Sequence, residues 1–108
     1  MSEENITIEF RYPWAMMPVG NSGYWIDAVK KSIKATDPLY EKDIFVSGRH
    51  ETQNLILVDN DSDNTYAIMS YENIGFEGAV VFKTIETIDS RTVLAERLQN
   101  DYESKKLV

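Results

Sequence analysis

The six residues Asp59-Asn60-Asp61-Ser62-Asp63-Asn64 hold the densest set of potential ligand atoms in the chain. Acidic side chains at the first, third and fifth places match the opening of a calcium loop. The remainder of the pattern departs from it. The sixth place is Asn64 rather than Gly, the twelfth is Ser70 rather than Glu, and the flanking segments read as strands rather than helices. Asp and Asn also suit a hairpin turn, because they tolerate left-handed backbone and cap their own amides. The expectation is a turn with no metal and no cofactor.

His50 is the single histidine, within Arg49-His50-Glu51. With no cysteine anywhere, it cannot assemble a typical zinc site. General-base chemistry would need a nucleophile in reach and a pocket around it. Ser47 and Ser70 are available in principle, and neither sits in a nucleophile elbow. Gly20-Asn21-Ser22-Gly23 lacks the Lys-Ser/Thr of a phosphate loop and reads as a helix start. Glu72 and Glu77 flank the glycine-containing stretch Asn73-Ile74-Gly75-Phe76, where they read as binding rather than catalytic groups. No residue is assigned a catalytic role, and the chain is expected not to be an enzyme.

Aromatic side chains are the other reservoir of chemistry. Trp14, Tyr71 and Phe76 lie beside proline, glycine or loop segments, whereas Trp25 falls on an amphipathic helical pattern. Aromatic anchors ringed by carboxylates are the composition of a protein-binding surface. The expected partner-binding set is therefore Asp59, Asp61, Asp63, Tyr71, Glu72, Phe76, Glu77 and Trp14.

These residues need elements to hold them. Ile6, Ile8 and Phe10 alternate with polar residues as a first strand does. Asn21 or Ser22 caps a helix running to about Thr36, with Trp25, Val29 and Ile33 on its apolar face. Lys30, Lys31 and Lys34 stand on the other side, near the negative end of the helix dipole. Strands follow at 44–47, 55–58, 65–71 and 79–82. A closing helix over 89–103 starts at an Asp89 cap, with Ile88 and Val93 as a hydrophobic staple and Leu94, Leu98 and Tyr102 as its stripe. Strands joined by short turns predict one α+β domain: a mostly antiparallel sheet of four to five strands with two helices packed on one face.

The bulk properties narrow the function. A length of 108 residues fits one domain able to bury roughly two-thirds of its unfolded surface. The absence of cysteine removes disulfides and thiol chemistry, and it suits a reducing compartment. Glu3 and Glu4 stand where a secretory signal carries positive charge, and no apolar run reaches membrane-spanning length, so a cytoplasmic protein is expected. The net charge of −7 disfavours direct nucleic-acid binding and favours a basic partner.

Together, the Trp14/Trp25 segment leading into a helix, the strand Tyr66-Ala67-Ile68-Met69-Ser70-Tyr71 after an acidic hairpin, and the closing Ile88-to-Tyr102 helix resemble bacterial immunity proteins of toxin–immunity pairs, including those of contact-dependent growth inhibition. The resemblance implies a cytoplasmic inhibitor that binds one cognate toxin protein, often a nuclease with a basic cleft. It carries over no individual contact residue. Two other functions compete with it: a small-molecule or regulatory module with Trp14, Tyr71 and Phe76 lining a pocket, and a small enzyme using His50 with a carboxylate.

Overall fold

The apolar run Leu55-Ile56-Leu57-Val58 is the key to the architecture. In a computed structural model, which describes Ile8 and residues 10–73 and 80–106, this run forms the body of β3 (Leu55–Asn60). It is the middle strand of five. β1 (Trp14–Met16), β2 (Ile44–His50), β3, β4 (Thr65–Asn73) and β5 (Val80–Ile88) lie in the sheet in chain order, every neighbouring pair antiparallel. A strand covered on one face alternates apolar and polar residues. One covered on both faces is apolar throughout, and Ile56, Leu57 and Val58 are all buried.

Both faces are covered because the two helices divide between them. α1 (Val19–Ser32) brings Val29, with Trp25 and Ile26 beside it, onto Ile56, Val58, Ala67, Met69 and Phe82. α2 (Arg91–Lys106) brings Leu94 and Leu98 onto Leu57, Ile68 and Ile88, with Trp14 in the same cluster. The α+β class and the antiparallel sheet are as the sequence predicts. The placement of both helices on one face is corrected to one helix per face. The cause is visible in β3 and in β4, whose odd and even residues are apolar alike.

Two bulges adjust which side chains reach which layer. In β2, Val46 pairs with Val58 and Gly48 with Leu57, so Ser47 is an extra residue. In β5, Met69 pairs with Thr84 and Ile68 with Glu86, so Ile85 is extra. The second bulge reverses the pleat. Phe82 therefore faces α1, whereas Ile88, also even-numbered, faces α2. Gly48 is required by a close approach: a Cβ there would sit 2.5 Å from Phe10 Cε1 and 3.1 Å from the Ala15 carbonyl oxygen.

Several element ends differ from expectation. The apolar stretch after Pro13 is strand β1, while most of the expected first strand at 6–10 lies outside the described residues. α1 starts at Val19 after Pro18, with no side-chain cap, so Asn21 and Ser22 are inside it, and it ends at Ser32 rather than Thr36. A proline before the first turn serves because the first amides of a helix have no intrahelical partner. At α2 the cap is Ser90, whose Oγ accepts the Val93 N–H at 3.2 Å, rather than Asp89. That shift makes Leu94 the inward residue, 1% exposed, and leaves Val93 47% exposed, so no Ile88–Val93 staple forms.

Candidate partner-binding surface

The acidic turn is built from its own side chains. Asn60, buried at the end of β3, accepts the Ser62 N–H at 3.1 Å and the Asp63 N–H at 3.2 Å through Oδ1. Its amide donates to Asp63 Oδ2 at 3.1 Å. Asn64 completes the turn at φ 57°, left-handed backbone that Asn adopts more readily than most residues. The hairpin reading of residues 59–64 therefore accounts for their composition.

A second segment is fastened to this turn. Asp43 N–H donates to Ser62 Oγ at 2.9 Å, and Asp61 N–H donates to the Asp43 carbonyl at 2.8 Å. Lys42 Nζ lies 3.2 Å from Asp63 Oδ2. These contacts bring Glu41 and Asp43 to the end of the sheet that carries Asp59, Asp61 and Asp63. Asp89 joins them, since it follows Ile88, which pairs with Tyr66. Six carboxylates thus share one end, with Lys42 and Arg91 as the cations at the same end among the described residues.

Asp59 differs from the others because it is half-buried. Its pKa is raised above 3.8, chiefly by burial; the Ser47 hydrogen bond opposes this, Asp61 adds to it and Arg91 opposes it. Ser47 Oγ, aimed by the β2 bulge, lies 3.0 Å from Asp59 Oδ1 and 3.4 Å from the Leu57 carbonyl, and its single proton favours the shorter contact. Directly across the strand pair from Asp59 stands Phe45, 42% exposed. Tyr66 flanks the same region, its hydroxyl 3.4 Å from Arg91 Nη1. An under-compensated carboxylate beside an exposed ring suits a cationic side chain whose stem lies on the aromatic and whose head meets the acid.

Tyr71, Glu72 and Trp14 do not join this surface. Tyr71 and Glu72 occupy the far end of β4. At the usual rise per residue, Tyr71 stands about 20 Å from the turn side of the strand at Thr65. Tyr71 belongs to the α1 layer, edge-on to Trp25 at 5.2 Å between ring centroids and 5.8 Å from Phe82. Phe76 and Glu77 lie outside the described residues. Trp14 is corrected from surface anchor to core residue: it is 2% exposed and its Nε1–H donates to Asp101 Oδ2 at 2.8 Å.

The sequence reading missed Phe45, Ser47 and the 41–43 segment. The alternation Ile44-Phe45-Val46 points Phe45 away from its buried neighbours, which was the available signal. The docking of 41–43 on the turn is a tertiary contact with no local signature.

His50 is buried and serves the β2–β3 turn. Its Nδ1 accepts the Thr52 N–H at 3.2 Å and the Gln53 N–H at 3.1 Å, which puts the proton of a neutral ring on Nε2. A cavity of about 200 Å³ beside it is also lined by Trp14, Arg97 and Asp101. Asp101 accepts from Trp14 and from Arg97 Nε, and Arg97 also pairs with Glu86. A separate groove of about 340 Å³ runs between the end of α1 and β5, lined by Phe82 but by neither Trp14 nor Tyr71. Among the described residues there is no group of three or more potential metal ligands, and no helix is long and apolar enough to cross a membrane.

No family model, no curated protein and no solved structure matches this chain.

Proposed function

We propose that this chain acts by binding rather than catalysis, as an immunity protein that neutralises a cognate toxin domain in the cytoplasm, of the kind paired with contact-dependent growth inhibition toxins. The observation that supports this best is the pairing of half-buried Asp59 with exposed Phe45, inside an end of the sheet that gathers five further carboxylates. Such a surface complements a basic cleft, including that of a nuclease, and not a phosphate backbone. Desolvating a carboxylate is unfavourable in the free protein, and an arriving Lys or Arg offsets that cost in the complex.

The small-molecule alternative draws less support, because among the described residues the groove beside β5 is lined by neither Trp14 nor Tyr71, and the cavity beside His50 is lined by Trp14 without Tyr71. The test takes the product of the gene adjacent to this chain's gene, which the immunity reading expects to be toxic when expressed alone. Co-expression should restore growth, and the purified pair should associate faster at low salt than at high salt. Replacing Asp59, Asp61 and Asp63 together by Asn should slow association at least several-fold while leaving the chain folded. Failure of co-expression to protect, with no complex formed, rejects the immunity reading. Protection with unchanged association of the triple variant keeps immunity and rejects this surface.

A further inference from the structure

β5 is an edge strand of nine residues, and its free side should offer amide and carbonyl groups to any passing strand. Two of those amides are already taken by the segment that follows α1. Phe82 N–H donates to Ser32 Oγ at 2.7 Å, across 50 residues of sequence. Thr84 N–H donates to Asp37 Oδ2 at 3.4 Å, and Thr84 Oγ1 donates to Asp37 Oδ1 at 2.9 Å, across 47 residues. Asp37 is itself held in place. Its Oδ1 accepts the Leu39 N–H at 2.9 Å, its N–H donates to the Lys34 carbonyl, and its carbonyl accepts from Tyr40.

The geometry points to Ser32 and Asp37 as an edge guard that keeps β5 from pairing with β5 of a second copy of this chain. The second copy is the fitting occupant for a reason of symmetry. An edge strand related to itself by a twofold axis meets its own row of donors and acceptors in antiparallel register, so the contact is self-complementary. The apolar side chains for such a contact are present, since Val81 is 40% and Ile85 is 53% exposed on this strand. The other natural defences of an edge occur on the same stretch: Lys83, which would approach its own copy, and the bulge at Ile85. The guard completes that set by withdrawing the amides a neighbouring strand would need.

The test compares the full chain with the Ser32→Ala/Asp37→Ala double variant by light scattering over roughly two decades of concentration. The original chain should stay at one chain mass, and the double variant should rise toward twice that mass with concentration. Amide exchange at Phe82 and Thr84 should quicken in the dilute variant and slow again as it associates. Because the sequence contains no cysteine and Lys83 would stand opposite its own copy, Lys83→Cys in the variant supplies a single thiol that should cross-link across the β5 pair. A folded double variant that stays monomeric throughout overturns the proposal, as does a dimer that Lys83→Cys fails to cross-link. A chain with Ser32 and Asp37 intact that already cross-links through Lys83→Cys also overturns it. If the double variant does not fold, Ser32→Ala alone decides: quicker Phe82 exchange with concentration-dependent association supports the guard, and a monomer at every concentration rejects it.

Discussion

Trp14→Phe separates a core role from a surface role. Trp14 is 2% exposed, edge-on to His50 at 5.1 Å between ring centroids, and hydrogen-bonded to Asp101 at 2.8 Å. Phenylalanine keeps a ring in place and loses the N–H. A hydrogen bond to an ionised acceptor contributes about 1.5–3 kcal/mol. The smaller ring leaves a void on the order of 40 Å³, worth about 1 kcal/mol at the usual cavity coefficient. The expected loss is therefore about 2–4 kcal/mol, and at several degrees per kcal/mol the melting temperature should fall by roughly 10 °C or more. Urea titration followed by far-ultraviolet circular dichroism should show a lower midpoint with an unchanged slope. A double-mutant cycle with Asp101→Ala should return a coupling of about 1–2 kcal/mol. A loss below about 0.5 kcal/mol, the range of ordinary surface substitutions, would refute the core assignment and return Trp14 to the candidate anchors.

Asp59→Asn should raise stability at neutral pH. A carboxyl whose pKa is raised on folding takes up its proton sooner in the folded state, so stability falls as pH rises from 3.8 through the folded value, and a side chain that cannot ionise escapes that fall. Unfolding curves collected from pH 3 to 7 should show the variant's advantage opening upward in pH, and an advantage confined to acid would reverse the argument. Gly48→Ala should cost about 1–3 kcal/mol by forcing Phe10 and β1 outward. Shortening Phe10 to Leu should recover part of that loss in a thermal melt, and no recovery would place the clash elsewhere. Phe45→Ala should change stability by less than about 0.5 kcal/mol. It should shorten the life of the partner complex, whereas Asp61→Asn/Asp63→Asn should slow only association, and surface plasmon resonance at two salt concentrations separates the two effects.

Much of the fold was legible because its signals are local. The four-residue spacing of Val29 with Ile33 and of Leu94 with Leu98 reports directly on burial. The placement of α2 was also written in the chain, in the fully apolar Leu55–Val58, but that run equally describes a buried strand in several architectures. Ser90 as the cap of α2 was hidden by Asp89 beside it, since both residue types cap helices well. The binding surface was legible only in part. The turn residues were found, but the cross-strand pairing of Phe45 with Asp59 depends on a bulge at Ser47, and no sequence signal marked that bulge. Trp14 was misread because a three-residue edge strand is too short to show a period, and its partner Asp101 lies 87 residues away.

The order of the strands has a consequence for how the chain is made. Every sheet partnership joins consecutive strands, so each hairpin can close as soon as it leaves the ribosome, without waiting for distant sequence. The α1 layer can be completed once β5 has emerged. The opposite face has no such schedule: beside Trp14, Leu57 and Ile68 are packed by Leu94 and Leu98 of α2, which follows all five strands. A nascent chain halted before Leu94 therefore displays a finished sheet with one naked apolar side, a state suited to chaperone capture and prone to sticking to other nascent chains. The clasp of Trp14 by Asp101 then marks the moment at which the earliest strand and the last helix lock into one body.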